Sequence, residues 1–131
     1  MANKTFNLQI ISPTRIFFDG EVNMVEMKTT EGEIGVLPEH IPLTAILEPG
    51  IMRIKKADGK KEAALHDGFV QIQKDRVTIL AESCEWPGEI DLTRAEDAKT
   101  RAERRIKSGS KEVDTLRAEL ALKKALIRID I

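Results

Sequence analysis

Arg94, Arg101 and Arg105 lie at offsets of 0, 7 and 11 along a stretch of helical periodicity, so their guanidinium groups share one helix face. Asp91 stands just before that stretch and is the expected N-cap, with Thr93 and Glu96 as an alternative capping box one step later. Arg94 is placed against local preference. A positive charge in the first helical turn opposes the macrodipole by several tenths of a kcal/mol, and Asp or Glu would serve a purely structural position better. The ordinary alternative is a solvated basic face. The misplaced Arg94 favours an anionic ligand, gripped by guanidinium forks, with Asp91 accepting hydrogen bonds from a ligand amine or hydroxyl.

No other constellation suggests covalent or acid–base chemistry. His40 and His66 are far apart and lack ligand-spaced partners. No nucleophile elbow, phosphate loop or His-Glu-x-x-His motif is present. Cys84 is the one cysteine, which excludes an internal disulfide and a zinc-type cluster. The carboxylates are spread through turns and strand faces, where solvated charge is the usual reading. The sequence therefore predicts a binding protein rather than a catalyst.

The elements that carry the basic face differ sharply from those before it. Residues 1–91 hold seven of the eight glycines and all five prolines, and residues 92–131 hold only Gly109. Charge changes at the same boundary: 10 Lys+Arg against 15 Asp+Glu up to residue 91, and 11 against 7 beyond it. An acidic part of net −5 precedes a basic part of net +4, and they attract through a screened force suited to docking and undocking. Two units are expected: a β domain over 1–86, and a linker with helices over 87–131. The first is long enough for its own core and the second is too short to stand alone. The overall charge of −1 and the scarcity of aromatic residues argue against nucleic acid. No apolar run approaches the ~20 residues that span a bilayer. Met1–Lys4 is not followed by a signal-peptide stretch, which predicts a cytosolic chain.

Period-two alternation marks strands at Phe6–Ile10, Arg15–Phe18, Val22–Lys28, Ile34–Leu37, Ile51–Lys56, Glu62–His66, Phe69–Gln73 and Arg76–Ala81. Asp19-Gly20, Asp58-Gly59, Asp67-Gly68 and Lys74-Asp75 read as the turns between them. The spacing predicts an antiparallel sandwich or flattened barrel. Beyond it, Leu92, Ala95, Ala98, Ala102 and Ile106 form the apolar stripe of a first helix. Ser108-Gly109-Ser110 breaks it, with Ser110 able to cap a second. There Val113, Leu116, Leu120 and Ile127 form a stripe that Leu122, Leu126 and Ile129 widen. A short loop makes the helices antiparallel. Asp97–Arg101, Glu103–Lys107 and Glu119–Lys123 are expected pairs four apart. An alanine stripe buries little, so docking of this hairpin is expected to be marginal; the plain reading is a small, stably packed appendage, and the favoured one is a two-state arm.

Several segments carry a family resemblance. Phe6–Pro13 followed by Phe17-Phe18-Asp19-Gly20-Glu21-Val22, then Glu31-Gly32-Glu33-Ile34-Gly35-Val36-Leu37-Pro38-Glu39-His40-Ile41-Pro42-Leu43, resembles the epsilon subunit of F-type ATP synthases. Leu47–Gly50, Gly68-Phe69-Val70 and Val77–Ala81 continue the match. Ile90-Asp91-Leu92-Thr93-Arg94-Ala95 is similar to the ATP-binding motif of bacterial members. Glu39 stands where many members carry Gly before the His.

The resemblance implies a ten-stranded β-sandwich followed by a helical hairpin, in a non-catalytic subunit of a proton-translocating enzyme. That subunit lies peripherally at the cytoplasmic face of a bacterial cell membrane. The sandwich would contact the gamma subunit and the membrane ring of c subunits, through the loops bearing Glu31, Glu33 and His40. His40 is equally explained as a residue held locally by its Pro38–Pro42 loop. The hairpin would extend toward the alpha and beta subunits and inhibit ATP hydrolysis, and no cofactor would be required. ATP, a regulatory ligand in several bacterial members, would favour the compact state through Glu85, Ile90, Asp91, Arg94, Ala95, Arg101, Lys124 and Arg128. Good binders carry Arg where Lys124 stands, and lysine offers a charge without a bidentate fork. The competing reading is a free-standing nucleotide-sensing module that uses the same Asp91/Arg94 site.

Overall fold

The computed structural model describes residues 4–108 and 112–131, with side chains of the final helix described from Thr115 onward. Its strands are β1 (Phe6–Ser12), β2 (Arg15–Val22), β3 (Met24–Thr29), β4 (Gly32–Val36), β5 (Leu43–Leu47), β6 (Gly50–Lys56), β7 (Gly59–Ile72) and β8 (Arg76–Glu85). A 3-10 turn, Pro87–Glu89, leads into α1 (Leu92–Lys107) and then α2 (Glu112–Asp130). The predicted Gly109-Ser110 break and cap lie outside the described residues.

The strands form one folded sheet in the order β2-β1-β8-β7-β5-β3-β4, with β6 paired to both β3 and β7. All pairings are antiparallel except β1 with β8, which run parallel. The sandwich has eight strands where the resemblance implies ten. Two predicted turns are the reason: Asp19-Gly20 lies inside β2, and Asp67-Gly68 lies inside the 14-residue β7. Beta7 serves two neighbours in succession, pairing with β6 from Gly59 to Leu65 and with β5 from Gly68 to Ile72. Beta5 itself carries no clear alternation in the sequence and was not among the expected strands.

Asp67-Gly68 is a corner rather than a turn. Both residues have positive φ, 49° and 143°. Along β7 the core-facing residues are Ala63 and Leu65 before the corner and Val70 and Ile72 after it, so the alternation changes phase there. Glu48-Pro49 makes the matching corner opposite, between Leu47, paired with Gly68, and Gly50, paired with Leu65. The chain bends from one layer of the sandwich to the other without losing its ladder. The core is built entirely from the strands, with Leu8, Ile10, Met27, Met52, Ile54, Leu65 and Ile79 among its fully buried members, and Trp86 packs at its margin.

The hairpin packs differently. Its buried residues are Ala95 and Ala102 on α1 and Ala118 and Ala125 on α2. The predicted α1 stripe is right for these two alanines, but Leu92 is exposed. Of the predicted α2 stripe, Leu116, Leu120 and Leu126 are exposed, Leu122, Ile127 and Ile129 are half-buried, and Val113 lies outside the described side chains, so the fully buried seam is alanine instead. Alanine methyl groups allow the two backbones to approach closely, and a leucine in the seam would hold them apart. The three expected pairs four apart are also not closed to within 4 Å, and Lys123 reaches Glu48 instead, at 3.9 Å.

A Cβ added at Gly68 would stand 2.1 Å from the Leu80 carbonyl oxygen, in a backbone conformation that already disfavours side chains. Gly68→Ala is therefore expected to destabilise the fold by ~2 kcal/mol or more. The urea unfolding midpoint measures this, and an unchanged midpoint would contradict the corner.

Candidate functional site

Arg94, Ala95, Ala98 and Arg101 share one face of α1, which Asp91 precedes. Asp91 is its N-cap: the Arg94 backbone N–H donates to Asp91 Oδ1 at 3.1 Å. No acidic residue occupies the first turn. The helix therefore presents its positive end together with the Arg94 guanidinium.

Opposite this face stand the end of β8 and the last turns of α2. Arg128 Nε donates to Glu85 Oε1 at 2.6 Å, and the same oxygen lies 3.1 Å from His66 Nε2. Between the three elements is a cavity of about 340 Å³, lined by Glu85, Glu89, Asp91, Arg94, Ala95, Ala98, Arg101 and Arg128. That volume lies within the range of small-molecule sites. Among the described residues, neither Arg94 nor Arg101 has a carboxylate within ion-pair distance, so both cations are free to meet a ligand. A second cleft of about 270 Å³ adjoins the first, lined by Ala98, Arg101, Ala102, Arg105 and Ala121. Arg105 thus belongs to the neighbouring cleft, although the helical spacing groups it with the other two arginines.

Six of the eight residues expected for a nucleotide share the cavity lining: Glu85, Asp91, Arg94, Ala95, Arg101 and Arg128. Ile90 and Lys124 lie outside it. Ile90 closes the 3-10 turn, its N–H donating to the Pro87 carbonyl at 3.3 Å. Lys124 sits one turn before Arg128 and is drawn to Asp67, with Nζ 3.2 Å from Oδ2. Glu89 is a lining residue that sequence reasoning missed. Both its carboxylate oxygens accept from Arg15, at 2.7 and 2.8 Å, and one also accepts the Trp86 N–H at 2.9 Å. Arg15 is 74 residues away in sequence, and no local pattern signals such a pair.

Among the described residues, three ion pairs fasten α2 to the sandwich: Lys123–Glu48, Lys124–Asp67 and Arg128–Glu85. They join the basic and acidic parts as the charge division predicts. Partly exposed pairs of this kind contribute about 0–1 kcal/mol each. Beneath α2, on the outer face of β7, Ala64 and His66 are fully buried. His66 is 1% exposed, and its Nδ1 has no partner.

Glu31 and Glu33 are exposed at the β3–β4 turn, where Thr29 Oγ1 accepts the Glu31 N–H and donates to the Gly32 carbonyl. His40 is half-buried with its ring edge-on to Phe6 at 5.3 Å, and both ring nitrogens are buried without a partner. Glu39 before it has φ of 62°, a conformation that suits glycine. None of these three residues belongs to the cavity. A further surface feature went unnoticed in the sequence. Ile46, Phe69 and Leu80 pair across β5, β7 and β8, and Leu80 continues through Ile11 on β1 to Ile16 on β2. Ile46 and Ile16 are each more than 60% exposed. An apolar row across five strands is the kind of surface that another protein covers.

Residues 5–87 match the family described as "ATP synthase, Delta/Epsilon chain, beta-sandwich domain", and residues 89–131 match its "long alpha-helix domain". The chain is 44% identical over 130 residues to the "ATP synthase epsilon chain" of Caldanaerobacter subterraneus subsp. tengcongensis, covering 98% of this chain and 94% of that one. In fold it is similar to a chain of the Euglena gracilis mitochondrial ATP synthase OSCP/F1/c-ring structure. The TM-score is 0.85 at 22% identity, with 96% of this chain and 79% of that chain covered. It is also similar to a chain of the Tetrahymena thermophila mitochondrial ATP synthase central stalk/c-ring structure. There the TM-score is 0.58 at 17% identity, covering 99% and 95%.

Burial pushes the His66 pKa below its ordinary 6.5, and the nearby Arg128 guanidinium adds to this, while the hydrogen bond to Glu85 opposes it. Lys124 of α2 acts in the same direction as Arg128. A depressed histidine contributes docking stability that is full above pH 6.5 and is lost as pH falls toward the lowered value. Lowering pH from about 7.5 to about 5.5 should therefore lengthen the hairpin-to-sandwich distance reported by a fluorescent pair, and His66→Gln should remove the dependence. A parent response unchanged in His66→Gln would rule out this origin.

Proposed function

The chain belongs to the ATP synthase delta/epsilon chain family, and from that premise we propose that it is a non-catalytic regulator of the F-type central stalk. Its sandwich joins the gamma subunit and the rotor ring of c subunits at the cytoplasmic face of a bacterial membrane. Its hairpin restrains ATP hydrolysis when extended toward the alpha and beta subunits, and ATP holds the hairpin in the compact state.

One observation carries the nucleotide reading. Arg94 and Arg101 come from α1, Arg128 from α2, and Glu85 from β8, and all line a single cavity. A ligand that touches all of them binds only while the hairpin is folded on itself and docked. Guanidinium groups suit phosphates, and the Asp91 and Glu85 carboxylates suit an exocyclic amine or a ribose hydroxyl. Ligand at 100-fold over its dissociation constant adds about 2.7 kcal/mol to the bound state. Against an alanine seam and three partly exposed ion pairs, that is enough to shift an even mixture almost wholly to the compact form.

The sandwich has the surface its own task requires. Its core contains no helix residue, so the hairpin can leave without opening it. The apolar row from Ile46 to Ile16 offers a face for a stalk partner, and the loops bearing Glu31, Glu33 and His40 extend the contact to gamma and the ring. No helix among the described residues is long and apolar enough to cross a membrane.

Arg94→Ala should abolish ATP binding by the isolated chain, as followed by titration calorimetry, while leaving helix stability unchanged or slightly raised, because the removed charge opposes the dipole. Binding equal to the parent's would refute the site.

Deleting residues 91–131 should leave a folded sandwich that still assembles into the enzyme. It should also raise the ATP hydrolysis rate of the assembled complex. Unchanged hydrolysis with assembly verified would exclude an inhibitory hairpin.

A further inference from the structure

The cavity poses an electrostatic problem for a polyphosphate. Its lining holds three carboxylates, Glu85, Glu89 and Asp91, against three guanidiniums, Arg94, Arg101 and Arg128. That balance has no net attraction for a ligand carrying several negative charges. Two carboxylates are occupied within the lining itself: Glu85 by Arg128, and Asp91 by the helix N-terminus that it caps. Glu89 has no cation within the lining. Its partner comes from β2, outside the cavity, where Arg15 closes on both carboxylate oxygens in a two-pronged contact.

We propose that Arg15 is a positioning and charge-setting residue for the nucleotide cavity, acting through Glu89. This rests on the nucleotide reading of that cavity. Arg15 holds the Glu89 carboxylate in a fixed place and cancels its charge, so that Arg94 and Arg101 face the phosphates without an opposing anion.

Three further contacts support a built arrangement. The Arg15 guanidinium lies 5.0 Å over the Phe17 ring, and Phe17 stacks on Trp86 at 4.2 Å. Trp86 in turn donates its N–H to Glu89. The strut therefore ties β2 to the turn that ends one residue before Ile90-Asp91, where α1 is launched. Arg15, followed by the Trp86 N–H, also holds the Glu89 pKa down to about 2, in keeping with a charged carboxylate paired to the guanidinium. All these groups belong to the sandwich and the linker, so the strut does not depend on the hairpin being docked.

Isothermal titration of ATP into the full chain tests the idea with four variants. Arg15→Ala should weaken ATP affinity about tenfold, the scale of one uncompensated unit charge within about 6 Å of a phosphate in a partly wet site. Glu89→Gln should bind ATP at least as well as the parent, because the amide still accepts the Trp86 N–H and brings no charge. The Arg15→Ala/Glu89→Gln double variant should recover parent affinity, and Arg15→Lys should lie between parent and Arg15→Ala, since it restores charge without the fork. A role confined to holding the linker predicts no recovery in the double variant, and that result would overturn the proposal. So would parent-like affinity in Arg15→Ala. If the parent itself takes up no ATP, the nucleotide reading falls and this inference with it. If the parent binds and Arg94→Ala does not, while Arg15→Ala binds normally, only the role of Arg15 is lost.

Discussion

Of the ion pairs that fasten the hairpin to the sandwich, the one made by a carboxylate oxygen of Glu85 also reaches into the cavity. Glu85 Oε1, at the last residue of β8, receives Arg128 from α2 and faces His66 from β7. It also lines the cavity beneath α1. Docking of the hairpin, burial of the histidine and completion of the cavity are consequently one event. If Arg128 leaves, Glu85 is released, His66 is uncovered and the third guanidinium of the cavity is gone. Coupling between a ligand and a large motion requires only that the ligand bind one arrangement better than the other. Here the cavity lining is drawn from the three elements α1, α2 and β8 together with the linker.

The two halves are stabilised by different forces. The sandwich is held by a continuous apolar core in which Leu8, Ile10, Met52 and Ile54 are wholly excluded from solvent, and the hydrophobic term there is large and insensitive to salt. The hairpin is held to it by ion pairs whose members are roughly a quarter to a half exposed, and to itself by alanine methyls. Such contacts are individually small and respond to salt, pH and bound anions. A rigid body with a loosely fastened arm is the expected result.

The linker belongs to the rigid side. Trp86 is stacked on Phe17, with Lys61 Nζ 5.6 Å from its ring centroid, and Glu89 is clasped by Arg15. The chain is thus anchored to the sandwich up to Glu89, one residue before Ile90-Asp91. The capping hydrogen bond of Asp91 is internal to the helix, so the clasp on Glu89 and the cap of α1 lie within two residues of each other.

What the sequence alone determined was whatever depends on neighbours along the chain. The passage from strands to helices, the N-cap at Asp91, the unfavourable placement of Arg94 and the alanine stripe of α1 all follow from spacings of one to four residues, where backbone geometry dictates who meets whom. The opposed charges of the two parts are likewise plain in composition, and they reappear as the pairs that dock α2. Tertiary structure decided the rest. Asp67-Gly68 has the composition of a turn, yet the pairing of Gly68 with β5 and β8 and of Leu65 with β6 keeps it a bend within one strand. The leucines of α2 have the right period for a seam, yet alanines take it because only small side chains let the helices meet at that distance. Lys124 lies beside Arg128 in helical spacing but turns to Asp67, and Arg15 reaches Glu89 across 74 residues. Such choices are settled by which distant groups the fold brings within a few ångströms, and a linear order of residues contains no record of that distance until the sheet has bent and the hairpin has docked.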